Sequence, residues 1–232
     1  MLWDKTGEAG AEPMALGPLP EWDLADLYPG RDSPELRRDL ETLASDATSF
    51  RARYEGKLAA LSGGELGAAV AEYERLQEIA GRIMSYADLT RAGNVADPAI
   101  AQFFQTMHER INAVATELLF FALELNRLDD AELDTKLADP ALAHYRPWLR
   151  DVRAMRLHQL SDELEKMLLE KSVAGRAAWV RLFDETIAEL RFPFRGRSRR
   201  ATCRISSRTM LSTRCYRRCA PAIRACRTAI TG

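Results

Sequence analysis

The stretch Asp97–Leu128, DPAIAQFFQTMHERINAVATELLFFALELNRL, decides the fold. Asp97 is a favoured helix cap and Pro98 is tolerated in the first helical turn, so the pair predicts a helix start. From there Ile100, Phe104, Met107, Ile111, Val114, Leu118, Phe121, Leu125 and Leu128 recur at steps of three and four, which is one continuous buried stripe. At about 1.5 Å per residue such a helix is about 45 Å long. Phe103, Leu119, Phe120 and Leu123 fall outside the stripe. A helix with apolar residues beyond one seam must be covered on more than one side, so this segment is expected at the centre of a bundle.

The same logic reads outward along the chain. Upstream, EWDLADLYPG (residues 21–30) mixes large apolar residues with turn formers and is expected to dock on the body ahead of the first helix. Ser33-Pro34 opens that helix, with Leu36, Leu40, Leu43, Ala47, Phe50, Tyr54 and Leu58 inward. Ser62-Gly-Gly-Glu65 fits a capping box, and Leu66, Val70, Tyr73, Leu76, Ile83 and Tyr86 form the inner face of a second helix that Gly93-Asn94 ends. Downstream, shorter helices are expected at 129–137, 139–145, 147–155, 161–171 and 175–191. The stretch with most β character is Leu190–Phe194, and no other strand pattern, repeat or Gly-rich phosphate loop is legible. The fold class is all-α.

The net charge of -1 conceals two unlike pieces. Residues 195–232 hold 11 Arg and no Lys, Asp or Glu, leaving 22 basic against 34 acidic residues in the rest. All four cysteines, Cys203, Cys215, Cys219 and Cys226, fall in the same segment, and a cysteine-free body suits a reducing compartment. Residues 1–20 read as a flexible leader without a secretory signal, Met14 being an alternative start, and no apolar run approaches the roughly 20 residues that span a bilayer. The domain reading is therefore a leader at 1–20, a helical body at 21–194 and a basic tail at 195–232, with a cytoplasmic location expected. Arg, Ala, Ser, Thr and Cys supply 29 of the tail's 38 residues, too little apolar content to fold alone. Out-of-frame translation of a GC-rich sequence is the favoured origin; a genuine disordered basic arm and a small nucleic-acid or zinc module stay open behind it.

Candidate chemistry is sparse. The nearest approach to a zinc-peptidase H-E-x-x-H helix is His108-Glu109-Arg110-Ile111-Asn112, where Asn112 stands in place of the second imidazole. Met107 and Ile111 put its neighbours in the buried seam, so the motif reads as the polar edge of a core helix. His144 and His158 lie near helix ends, where bonding to a local carbonyl is the expected role. Glu124 with Arg127, and Glu185 with Glu189, read as surface charges. The cysteine spacing in the tail gives no pair of C-x-x-C knuckles, and no His follows residue 158 to complete a mixed site. No catalytic, cofactor-binding or metal-binding residue is assigned.

Several stretches carry a resemblance: WDLADLYPG at 22–30, IMSYADL at 83–89, NVADP at 94–98, LLFFALELNRL at 118–128, HYRPWLRDVR at 144–153 and, most specifically, HQLSDELEKMLLEKSVAGRAAWVRLFDE at 158–185. Together they resemble the N-terminal region of oligoendopeptidase F, one of the thimet-oligopeptidase-like zinc metallopeptidases, over roughly residues 21–194. The resemblance implies a multi-helix N-terminal lobe that forms one wall of a deep channel. In such enzymes a C-terminal region carries H-E-x-x-H and a further Glu ligand, and short peptides are the substrates. The resemblance stops near Arg195, so the zinc ligands have no counterpart here.

The function expected from this reading is that of a truncated channel-wall part of an oligoendopeptidase F-like zinc metalloendopeptidase, inactive alone. No cofactor is expected in this chain, zinc belonging to the intact family. Short peptides are the expected partners of that family; no membrane partner is expected, and nucleic acid is a remote third reading resting on the basic tail alone. The alternative is a stand-alone helical peptide- or protein-binding module without catalysis, whose surface should be polar where the catalytic half is missing.

Overall fold

Ser33 accepts the backbone N–H of Leu36 and starts α1 (Pro34–Tyr54), which buries Leu36, Leu40, Leu43, Ala47 and Phe50 as the spacing requires. The computed structural model describes residues 22–194 and 197–200. Behind α1 the chain turns through Gly56 at φ 76°, a left-handed conformation that a side chain would strain. The Gly56 N–H donates to Glu124 Oε1 at 2.7 Å. A 3-10 turn at Leu58–Ala60 then buries Leu58 completely.

The capping box at Ser62 is formed as read. Ser62 Oγ accepts from the Glu65 N–H at 3.3 Å, while Glu65 Oε2 accepts from the Ser62 N–H at 2.8 Å, and α2 (Gly63–Gly93) follows. These contacts from the Ser62 backbone and hydroxyl hold the Glu65 carboxyl below its ordinary range. A carboxyl depressed in the folded state adds stability above its unfolded value, and that stability is lost as pH falls through the folded value. Ser62→Ala is expected to cost about 1 kcal/mol at neutral pH, and its gap to the parent should narrow on acidification as Glu65 takes up a proton. Urea titrations at neutral and acidic pH check both effects.

Asp97 Oδ1 accepts from the N–H groups of Ala99 and Ile100 and opens α3 (Pro98–Arg127). Helices α1, α2 and α3 pack on one another, with α5 (Arg146–Ala154) and α6 (Asp162–Ser172) also against α3, so the long helix is central as its two-sided pattern demands. At the middle of this core Phe121 stacks on Tyr73 at 4.8 Å and meets Phe50 edge-on at 5.1 Å between centroids. Residues 22–30 dock through buried Tyr28, whose hydroxyl donates to Asp39 Oδ2 at 3.0 Å and accepts from Arg82 Nε at 3.1 Å. Burial raises the Tyr28 hydroxyl above its ordinary range, partly offset by Arg82. Trp22, by contrast, is 78% exposed.

Helix α4 (Asp130–Leu137) packs on α2, as does the segment 139–145, where a helix is expected and only a 3-10 turn forms, at Pro140–Leu142. Pro140 and Pro147 bracket a stretch too short to propagate an α-helix. The turn is also held tightly against α2, because a Cβ on Gly67 would come within 2.8 Å of the Ala141 Cβ.

The chain divides into two compact units, residues 1–179 and 180–232, and α7 (Arg176–Glu189) runs across the division. In the second unit β1 (Arg191–Phe194) pairs antiparallel with β2 (Arg197–Arg200), Arg191 opposite Arg200 and Phe194 opposite Arg197. The β character of 190–194 is thus realised, but regular structure also continues past residue 194, where the sequence reading ends the ordered body. Ladder pairing needs extended backbone on either side of a short connection and no apolar stripe, so an Arg-rich segment can supply the second strand. Pro193 is tolerated because each strand of a two-stranded ribbon is an edge. The leader 1–20, Met14 and the four tail cysteines lie outside the described residues.

Candidate functional site

The three histidines are not brought together. His108 is half-buried on α3, its ring stacked on Phe104 at 5.9 Å and 9°, with the Arg91 guanidinium 5.0 Å from the Phe104 ring. Its Nδ1 is buried without a hydrogen-bond partner among the described residues. Desolvation raises the nearby Asp88 carboxyl, while Arg91 and His108 pull it the other way. Asn112, in the place of a second zinc-binding imidazole, accepts from Ser172 Oγ at 3.2 Å and so ties α3 to α6.

His144 and His158 are exposed, and neither ring bonds a local carbonyl as expected. His144 instead lies edge-on to the Tyr145 ring at 5.1 Å. Among the described residues no group of three or more His, Cys, Asp or Glu is placed to hold a metal ion.

Two surface features remain. A recess of about 410 Å³ lies between α3 and α6, lined by Glu109, Asn112, Thr116, Glu117, Lys166 and Glu170 together with Ala113 and Val173. Glu117 pairs with Arg51 at 3.1 Å and Lys166 with Glu170 at 3.9 Å, so its charges are largely matched within the protein. Glu55 and Glu117 together push the Arg51 guanidinium further above its ordinary range. Such a recess can offer hydrogen bonds to a peptide; it contains no nucleophile beside a base.

The second is a set of exposed apolar side chains in each unit. Apart from Trp22, every exposed large hydrophobic among the described residues lies between 155 and 183. In the first unit these include Met155, Leu157, Leu160, Leu164, Met167 and Leu168, and in the second Val180, Leu182 and Phe183. The signal was available in the sequence, since Leu164, Met167 and Leu168 lie on the side of α6 opposite Leu169 and Val173, but a short helix does not announce which of its apolar faces is covered.

Glu124 and Arg127, paired in the sequence reading, serve different ends. Glu124 receives the Gly56 N–H, and Arg127 forms an ion pair with Asp162 of α6. Sequence reasoning also missed Arg153, whose Nη1 donates to the carbonyls of Leu125 and Leu128 at 2.8 and 2.9 Å and whose Nη2 pairs with Asp130. It satisfies carbonyls that the end of α3 leaves without intrahelical partners.

The first unit is thus a helical body, and apolar side chains stay exposed in both units. Residues 124–192, less than half of the chain, match the family model described as Oligopeptidase F. No curated protein and no solved structure matches the chain. Among the described residues no helix is long and apolar enough to cross a membrane.

Proposed function

We propose that the chain is the channel-wall part of an oligoendopeptidase F-like zinc metalloendopeptidase acting on short peptides, and that it does not hydrolyse peptides by itself. The observation that carries this reading is the match of residues 124–192 to the family described as Oligopeptidase F. In such an enzyme the remainder of the peptidase would supply the zinc ligands and a Glu that activates the metal-bound water. The cysteine-free body fits a cytoplasmic setting.

The test combines zinc content with cleavage of a quenched fluorogenic peptide. Purified chain is expected to show neither stoichiometric zinc nor hydrolysis; chelator-sensitive turnover would overturn the proposal. Sequencing the gene through and beyond codon 194 adds a second check. A helical family pattern that resumes in another frame and reaches H-E-x-x-H supports the truncated reading, while a confirmed frame with no such motif removes it.

The recess between α3 and α6 favours the second reading, a helical peptide-binding module without catalysis. Peptide that binds uncut, and binds more weakly to Glu109→Ala, would select it.

A further inference from the structure

Helix α6 is apolar on opposite sides. Half-buried Leu169, Ser172 and Val173 belong to the side that meets α3, where Ser172 bonds Asn112. On the other side Leu164, Met167 and Leu168 are 45%, 46% and 52% exposed, and Leu160 continues the row one turn earlier. A helix with two apolar sides needs cover on both.

We propose that a second copy of this chain supplies the outer cover, α6 packing antiparallel on its counterpart about a two-fold axis at Met167. The charges select this occupant. The first turn of α6 carries Asp162, Glu163 and Glu165, and its last turn Lys171. Asp162 is engaged by Arg127, and Glu165 by the Leu160 N–H. Glu163 and Lys171 are exposed and form no ion pair among the described residues. Both stand four residues from Met167, one on either side, about 6 Å along the helix axis.

An axis at Met167 therefore sets Glu163 of each copy opposite Lys171 of the other, twice, while Leu164 and Leu168 interleave across the seam. The Lys171 stem can lie over this apolar row with its ammonium at the edge. Antiparallel packing also opposes the two helix dipoles favourably. A parallel pairing would set Glu163 against Glu163. Such a two-fold contact is self-complementary and closed, so it yields a dimer and no polymer.

The test is the mass of the full chain in solution by light scattering and sedimentation over a concentration series. The expected result is a concentration-dependent species of twice the 26.1 kDa chain mass. Met167→Lys places two ammonium groups across the axis and is expected to raise the dissociation constant at least about tenfold, with the helical circular dichroism of the parent retained because Met167 faces outward. Glu163→Lys and Lys171→Glu should each weaken the dimer, and the double exchange should restore it.

A chain that stays monomeric at every concentration overturns the proposal and leaves the face to another part of a longer protein. A dimer indifferent to Met167→Lys, or one that the double exchange does not rescue, overturns it as well. Peptide hydrolysis and zinc content do not enter this test, so its failure is distinct from failure of the peptidase reading.

Discussion

Phe121→Ala is expected to lower the free energy of unfolding by about 3–5 kcal/mol, among the largest effects of any single truncation here. Phe121 is fully buried and lies at the meeting point of the three long helices. Its ring contacts Phe50 from α1 and Tyr73 from α2, and Phe50 in turn meets Tyr54 at 4.8 Å and Phe120 at 5.9 Å. Tyr73 extends the cluster to Trp148 of α5 at 5.7 Å. Removing the central ring deletes apolar burial and leaves a cavity that rings anchored on four helices cannot readily close.

The effect is read as a lower urea midpoint with an unchanged slope, since the surface exposed on unfolding hardly changes. For a chain of this size the melting temperature should fall by roughly 10 °C. Phe121→Leu, which keeps much of the volume, should cost distinctly less. A Phe121→Ala chain as stable as the parent would mean that the three helices do not share this core.

Arg153→Ala is expected to cost about 2–3 kcal/mol. The side chain is only 12% exposed, and one guanidinium nitrogen serves both the Leu125 and Leu128 carbonyls while another holds Asp130. Truncation strands two acceptors at the end of α3 where the packed α5 limits access to water. The pairing with Arg153 also holds the Asp130 carboxyl below its ordinary range. That contribution exists above the usual aspartate range and fades as pH falls through the depressed value, so the variant's deficit should shrink in acid.

Arg153→Lys is expected to fall between parent and alanine, because one ammonium cannot reproduce the planar fork that reaches three acceptors. Urea midpoints of the three proteins at neutral and acidic pH make the comparison. Equal stability of the lysine variant and the parent would show that charge alone is required.

Much of this was legible residue by residue. Ser33, Ser62 and Asp97 start helices as their identities predict, because capping is a local hydrogen bond between a side chain and backbone two or three residues on. The stripes on α1 and α3 are buried because helical periodicity projects sequence directly onto a face. The failures involve partners far apart in sequence. Nothing near Glu124 points to the backbone of Gly56, and nothing near Arg153 points to the end of α3. The segment 139–145 failed for a similar reason: its conformation is settled by two prolines and by the close approach of Gly67 on another helix.

The sequence by itself determined the helical class, most helix boundaries, the inner faces of the three long helices and the lack of an H-E-x-x-H motif, since each depends on local spacing. Only the tertiary structure decided that Asn112 serves as a tie to α6, that the described donors assemble no metal site, and which side of α6 stays open. Those outcomes depend on which surfaces meet, and a helix that is apolar on two sides is compatible with burying either one until its neighbours are in place.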